Sequence, residues 1–162
     1  MKKIIILCSA FLFPIFAQAG YGNTKWGMNP EQVVEAEKGK AKIVSPIKYK
    51  NGEGKVQIEN MNIASDDYTV TFIFDGEDRL VQANLISNEK KNAGIAASRF
   101  DSLHQLLTQK YGEPNFKGAD SISWKSSDTI IELKKIVIPG VIAQTSVRYI
   151  PSSKIEVDTS NL

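Results

Sequence analysis

The segment Tyr68-Thr69-Val70-Thr71-Phe72-Ile73-Phe74 constrains the fold most strongly. Tyr68, Val70, Phe72 and Phe74 recur at period two, so an extended chain places all four on one face. A single strand cannot shelter such a face; it needs neighbouring strands and a covering layer. The residues that follow supply the first neighbour. Asp75-Gly76-Glu77-Asp78 is turn chemistry, and Arg79 to Ser87 reads as the returning strand, with Val81, Ala83 and Leu85 on one face. Upstream, Ile47-Lys48-Tyr49-Lys50 and Lys55-Val56-Gln57-Ile58 alternate around Asn51-Gly52-Glu53-Gly54, which reads as a hairpin.

Helix signals supply the covering layer. In Trp26-Gly27-Met28-Asn29-Pro30-Glu31-Gln32-Val33, Asn29 is a good N-cap and Pro30 suits the first helical position. Gln32 sits three residues after the cap, where it can close a capping box. A short helix is predicted from Pro30 to about Lys38, with Gly39 just beyond its end. A second helix opens after the polar stretch Asn88 to Asn92. Ala96, Phe100, Leu103 and Leu107 form its apolar stripe, with Leu106 alongside. Tyr111-Gly112-Glu113-Pro114 stops it. Strands are predicted at Ser121 to Lys125, Thr129 to Ile138 and Thr145 to Ile150, with a Pro139-Gly140 turn before the last.

The order of elements thus recurs. Residues 26–87 read as helix and three strands with some extra hairpin, and residues 89–150 as helix and three strands. The expected fold is α+β: two tandem αβββ units forming one antiparallel sheet, with helices packed on one face. A single unrelated α+β sheet without duplication is the alternative. The expected domain spans 20–151, and 152–162 reads as a flexible polar tail.

The N-terminus sets the compartment. Met1-Lys2-Lys3 is basic, Ile4 to Phe16 is apolar, and Ala17-Gln18-Ala19 has the small-x-small pattern of a cleavage site. Residues 1–19 are therefore expected to be a signal peptide, cut between Ala19 and Gly20. The apolar run is short for a ~30 Å hydrocarbon core and contains Pro14. Cys8 follows Ile5-Ile6-Leu7 rather than small residues, so it reads as part of the signal and not as a lipid-attachment site. The processed chain would be periplasmic or secreted, would carry no cysteine, and would have to hold together by its apolar core. No span is expected in it. Its charge is also informative. The 20 Lys and Arg of the chain face 18 Asp and Glu, and removing Lys2 and Lys3 balances the two. A balanced chain argues against nucleic-acid binding, which usually shows a basic excess.

Reactive groups are scarce. His104 is the sole histidine; it flanks the second helix's stripe, and no Gly-x-Ser-x-Gly elbow accompanies it. One histidine and no processed cysteine argue against the common zinc sites. Asp75-Gly76-Glu77-Asp78 lacks calcium-loop spacing. Asn51-Gly52-Glu53-Gly54-Lys55 lacks the phosphate-loop spacing and leads into no helix. Lys48, Lys50 and Lys55 could form a small basic patch, diluted by Glu53 and Glu59. No catalytic, cofactor or metal site is expected. The unusual segment is Ile136-Val137-Ile138-Pro139-Gly140-Val141-Ile142-Ala143, eight residues without charge around a turn. Such turns are commonly buried under a sheet or against a helix end. If exposed, this one marks a contact site built on Ile138, Pro139, Gly140, Val141 and Ile142.

The opening Gly27-Met28-Asn29-Pro30-Glu31-Gln32-Val33 resembles that of small bacterial envelope proteins, including the outer-membrane assembly lipoproteins of the SmpA/OmlA type. The twofold recurrence resembles the related beta-lactamase-inhibitory-protein fold, which repeats a helix-plus-hairpin unit. The Tyr-Gly-x-Pro stop at Tyr111 to Pro114 looks like the same kind of helix end. The chain departs from the assembly lipoproteins in lacking a lipid-bearing Cys and in having two units. The resemblance implies a non-catalytic exported binding protein and carries over no binding residue. The expected function is a binding module that contacts a protein or another envelope component. An envelope-assembly or chaperone-like factor is the alternative, and a small hydrolase using carboxylates or His104 is a third.

Overall fold

Asn29 opens the first helix as its sequence requires. Its side chain accepts from the Gln32 N–H at 2.9 Å while the Gln32 side chain accepts from the Asn29 N–H at 3.0 Å. Helix α1 (Pro30–Ala36) is nevertheless two residues shorter than expected. Glu37 caps it, and Lys38 and Gly39 both take positive φ. The computed structural model describes residues 20–154. The expected signal peptide with its cleavage point and Cys8, and most of the expected tail, lie outside the described residues. Ser152–Lys154 form a 3-10 turn.

Eight strands follow in two groups of four. They are β1 (Lys42–Tyr49), β2 (Gly52–Ile63), β3 (Asp66–Phe74) and β4 (Leu80–Ser87), then, after α2 (Ala93–Tyr111), β5 (Phe116–Lys117), β6 (Ser121–Ser126), β7 (Thr129–Ile138) and β8 (Ile142–Pro151). They make one antiparallel sheet in the order β1-β2-β3-β4-β8-β7-β6-β5. The fold is α+β. Each group contributes a helix and then four strands, not three. In the first group the extra hairpin predicted around Asn51 to Gly54 supplies β1 and β2, both longer than expected; in the second the unforeseen member is the two-residue β5. The groups meet at β4 and β8, where Ala83, Asn84, Leu85 and Ile86 oppose Tyr149, Arg148, Val147 and Ser146.

One core joins both groups. Val33 of α1 and Phe100, Leu103 and Leu107 of α2 pack with Val70, Phe72, Phe74, Leu85, Ile131, Leu133 and Val147. Both helices therefore cover the same side of the sheet. Trp124 is buried and its indole N–H donates to the Gly112 carbonyl at 3.0 Å. This bond fastens the end of α2 to β6. Thr145, fully buried, donates to the Ala96 carbonyl at 2.8 Å and fastens the start of α2 to β8. Burial, with the Asp66 carboxylate second, pushes the Tyr68 phenol up to about 12. Burial likewise drives Tyr149 well above its ordinary value, so both stay neutral in the core.

Three local readings change. The β1–β2 turn is Lys50-Asn51, and Gly52 to Gly54 belong to β2. Gly52 has φ +148, and a Cβ there would meet the Phe74 carbonyl oxygen. In β4 the pairing slips between Ile73 and Phe74, which oppose Gln82 and Leu80. This bulge at Val81 sends Leu80 into the core and Val81 to the other face, beside Gln82 and Ile150. In α2, Leu106 is exposed, outside the buried stripe of Ala96, Arg99, Phe100, Leu103 and Leu107.

Candidate functional site

The apolar segment around Pro139-Gly140 is exposed. Ile138 and Val141 close a four-residue turn through a 2.9 Å bond from the Val141 N–H to the Ile138 carbonyl. Pro139 fixes the first central position, and Gly140 supplies the positive φ (+73) of the second. The expectation of burial fails for a topological reason. The last rung of β7 with β6 is Lys134 opposite Ser121, and the last rung of β8 with β4 is Ser146 opposite Ile86. Two further backbone bonds hold the hairpin at its base, from Lys135 to Asp120 at 2.9 Å and from Ala143 to Lys90 at 2.7 Å. From Ile136 to Ile142 the strands bond only to each other, through Ile136–Gln144, Val137–Ala143 and Ile138–Ile142. On the β7 side the chain is free beyond Lys135, whereas on the β8 side Ala143 is still tied to Lys90, so the rung Ile138–Ile142 and the Pro139-Gly140-Val141 turn stand beyond both neighbours.

The apolar side chains of this hairpin end are open to solvent. Val141 is 74% exposed, Ile138 51%, Ile136 46% and Val137 41%. Side chains alternate along a strand, so Val137 points to the helix side, whereas Ile136, Ile138 and Ile142 point to the other. The projection is thus apolar on both faces. A cleft of about 300 Å³ runs along it, lined by Val137, Ile138, Val141 and Ile142 with Lys91 and Ala93 from the start of α2. The five residues singled out in the sequence, Ile138 to Ile142, are therefore brought together at one tip. Ile136 and Val137 extend the surface.

Lysines ring its base. Lys134 and Lys135 lie on β7 and Lys90 and Lys91 on the β4–α2 loop. Lys135 pairs with Asp120 at 3.2 Å and stands 5.1 Å over the Phe100 ring. Lys134 lies 3.7 Å from Glu132. Among the described residues neither Lys90 nor Lys91 pairs with a carboxylate, and both are exposed. The loop itself is fixed. The Lys91 N–H donates to the Glu89 carboxylate, a bond that holds this carboxyl below its ordinary value. The buried Arg99 donates to the Glu89 carbonyl at 3.2 Å and pairs with Asp66 at 2.7 Å. Nothing in the sequence reading anticipated this arginine, because it sits beside Phe100 on a stripe where a charge reads as a solvated neighbour.

The sheet face away from the helices is a second surface, with different chemistry. Asn84, Arg148, Glu132 and Ser123 lie on one line of rungs. The Arg148 Nε donates to Glu132 at 3.0 Å. Gln82 donates to Asn84 at 2.7 Å and accepts from Asn51 at 3.2 Å, and Gln57 donates to Thr71 at 2.9 Å. These polar groups satisfy one another, so the face makes little demand on a partner.

The remaining sequence candidates are dispersed. His104 is half-buried on α2, with its ring 6.1 Å from that of Trp124. Among the described residues, none of the hydrogen bonds that would orient it as a base is formed, and no three His, Cys, Asp or Glu side chains are grouped to hold a metal ion. Lys55 of the expected basic patch is compensated by Asp78 at 2.6 Å and Glu53 at 3.4 Å. Lys42 is compensated by Glu59 at 2.7 Å. Among the described residues no helix is long and apolar enough to cross a membrane. Comparison of the chain with the known protein families, with curated proteins and with solved structures found no match.

Proposed function

We propose that this chain is a non-enzymatic binding module, exported by its N-terminal signal and acting in the periplasm or outside the cell. It contacts a protein or another envelope component through Ile138, Pro139, Gly140, Val141 and Ile142. The observation that carries this reading is the exposure of an uncharged aliphatic hairpin tip. Exposed apolar side chains scattered singly are ordinary, but a contiguous projecting group of them is the mark of a contact site. The resemblance of the Gly27 to Val33 opening to exported envelope proteins points the same way. Within this reading the two helix-plus-four-strand groups are a tandem repeat in which only the second carries the contact tip.

The test is capture from envelope extract. Wild-type protein is expected to recover a component that the Val141→Asp, Ile142→Asp variant does not. Equal recovery by the two would remove the tip from the account. Tip-dependent recovery of many unrelated unfolded proteins would instead mark a chaperone-like factor.

A further inference from the structure

The tip is wholly aliphatic, and the charge around its base has one sign in excess. These two facts distinguish what it contacts. Protein–protein contact centres favour Trp, Tyr and Arg and are poor in Lys. From Ile136 to Ala143 the projection holds none of those three, and its neighbours are lysines. Aliphatic side chains flanked by lysines suit a lipid surface, where apolar groups enter the headgroup–acyl boundary and ammonium groups meet phosphates. Four lysines stand at the base against the carboxylates of Glu89, Asp120 and Glu132. Asp120 and Glu132 are engaged with Lys135 and with Arg148 and Lys134, and Glu89 is turned onto the backbone of its own loop. Lys90 and Lys91 are left to face outward.

The geometry also sets a depth. The outer edges of the projecting strands carry backbone groups with no flanking strand. Such groups are costly in hydrocarbon, so the hairpin cannot pass deep into it. They remain hydrated at the boundary, where an interfacial element is buried by about 5–10 Å. The free tip, one rung and its turn beyond Ala143, is short enough to stay within that zone.

We infer that the β7–β8 tip is an interfacial anchor for an anionic bilayer surface, with Ile136, Val137, Ile138 and Val141 entering the headgroup–acyl boundary and Lys90 and Lys91 meeting its phosphates. This rests on the reading of the tip as the contact surface and names the component contacted.

The experiment is co-sedimentation of the exported protein, its N-terminus read by mass, with vesicles of phosphatidylethanolamine and phosphatidylglycerol or of phosphatidylcholine alone. The protein is expected to partition onto the anionic vesicles at low ionic strength. It should bind the neutral ones at least tenfold more weakly and be released by 0.5 M salt (~3–5 Å screening length). Val141→Asp is expected to lower partition at least tenfold. Lys90→Ala and Lys91→Ala should each lower it about fivefold. All these positions are exposed, so unchanged thermal melts are expected to accompany the losses. A Val141→Trp variant is expected to bind at least as tightly as wild type and to be quenched by brominated acyl chains more than wild type, whose Trp26 and Trp124 lie elsewhere. No partition onto either vesicle, or partition unaffected by Val141→Asp, overturns the anchor. If envelope capture of one protein, or concentration-dependent self-association, still depends on Val141, the contact surface stands and its occupant is that protein or a second copy. If nothing depends on Val141, both readings fall.

Discussion

The β3–β4 and β7–β8 turns occupy equivalent places in the two groups of strands, each joining the last two, and they lie at opposite ends of the sheet because β4 and β8 run antiparallel. Their chemistry is opposite. In the first, the Asp75 carboxylate accepts from the N–H groups of Glu77 and Arg79, both at 3.0 Å, and from the Arg79 Nε. Asp78 holds Lys55. Every charge there is answered by a neighbour on the same chain. In the second, Pro139-Gly140-Val141 closes a tight turn, yet its apolar side chains are left exposed. A turn that needs only to reverse the chain is built like the first. The second carries an apolar surface that the turn itself does not require, and this difference singles it out.

The comparison requires β7 to be structural below Lys135 and free above it. Leu133→Ala removes a fully buried side chain from that strand and is expected to cost about 2–5 kcal/mol, read by urea denaturation. Asp66→Ala leaves the Arg99 guanidinium, which also braces the loop under the tip, without its carboxylate. Because Asp66 is partly exposed, the expected loss is about 2–3 kcal/mol rather than the full penalty of a buried pair. At the tip the signs reverse. Ile138→Lys together with Val141→Asp makes the second turn resemble the first. It is expected to change stability by no more than ~0.5 kcal/mol and to abolish envelope binding. A large loss of stability would show the tip to be structural after all.

The smallest effect belongs to the charged turn. Partial burial opposes the charge on Asp75, but the Arg79 and Glu77 N–H groups and the Arg79 guanidinium outweigh it and hold the carboxyl below its ordinary value. A depressed folded-state pKa contributes stability that is complete above about pH 4, the unfolded value, and fades as pH falls through the folded one. Asp75→Asn is therefore expected to weaken the fold slightly at pH 7 and to flatten the acid limb of a stability–pH profile. The tip has no titrating group between pH 5 and 8, so its binding should be level across that range.

Local chemistry was legible where it was self-contained. The Asn29 cap, the Tyr68 to Phe74 alternation, the Gly112 stop and the Pro139-Gly140 turn each depend on a few adjacent residues, and each stands where the sequence places it. The features that escaped depend on distant partners. The bulge at Val81 is visible only against Ile73 and Phe74, and two-residue β5 exists only because β6 lies beside it. Tyr21, just after the expected cleavage point, packs edge-on against Phe72 and Tyr149 with centroids 5.9 and 5.1 Å away. A Gly-Tyr-Gly sequence gives no hint of that. The exposure of Ile136 to Val141 could not be read either. It follows from where β4 and β6 stop, and composition favoured burial.

Site-specific photo-crosslinking in intact cells tests the central claim most directly, with the reactive side chain placed at position 141 in one protein and at position 77, on the charged turn, in another. The account predicts adducts to an envelope component from 141 and none from 77. An inert 141, or the same adducts from both positions, would contradict it.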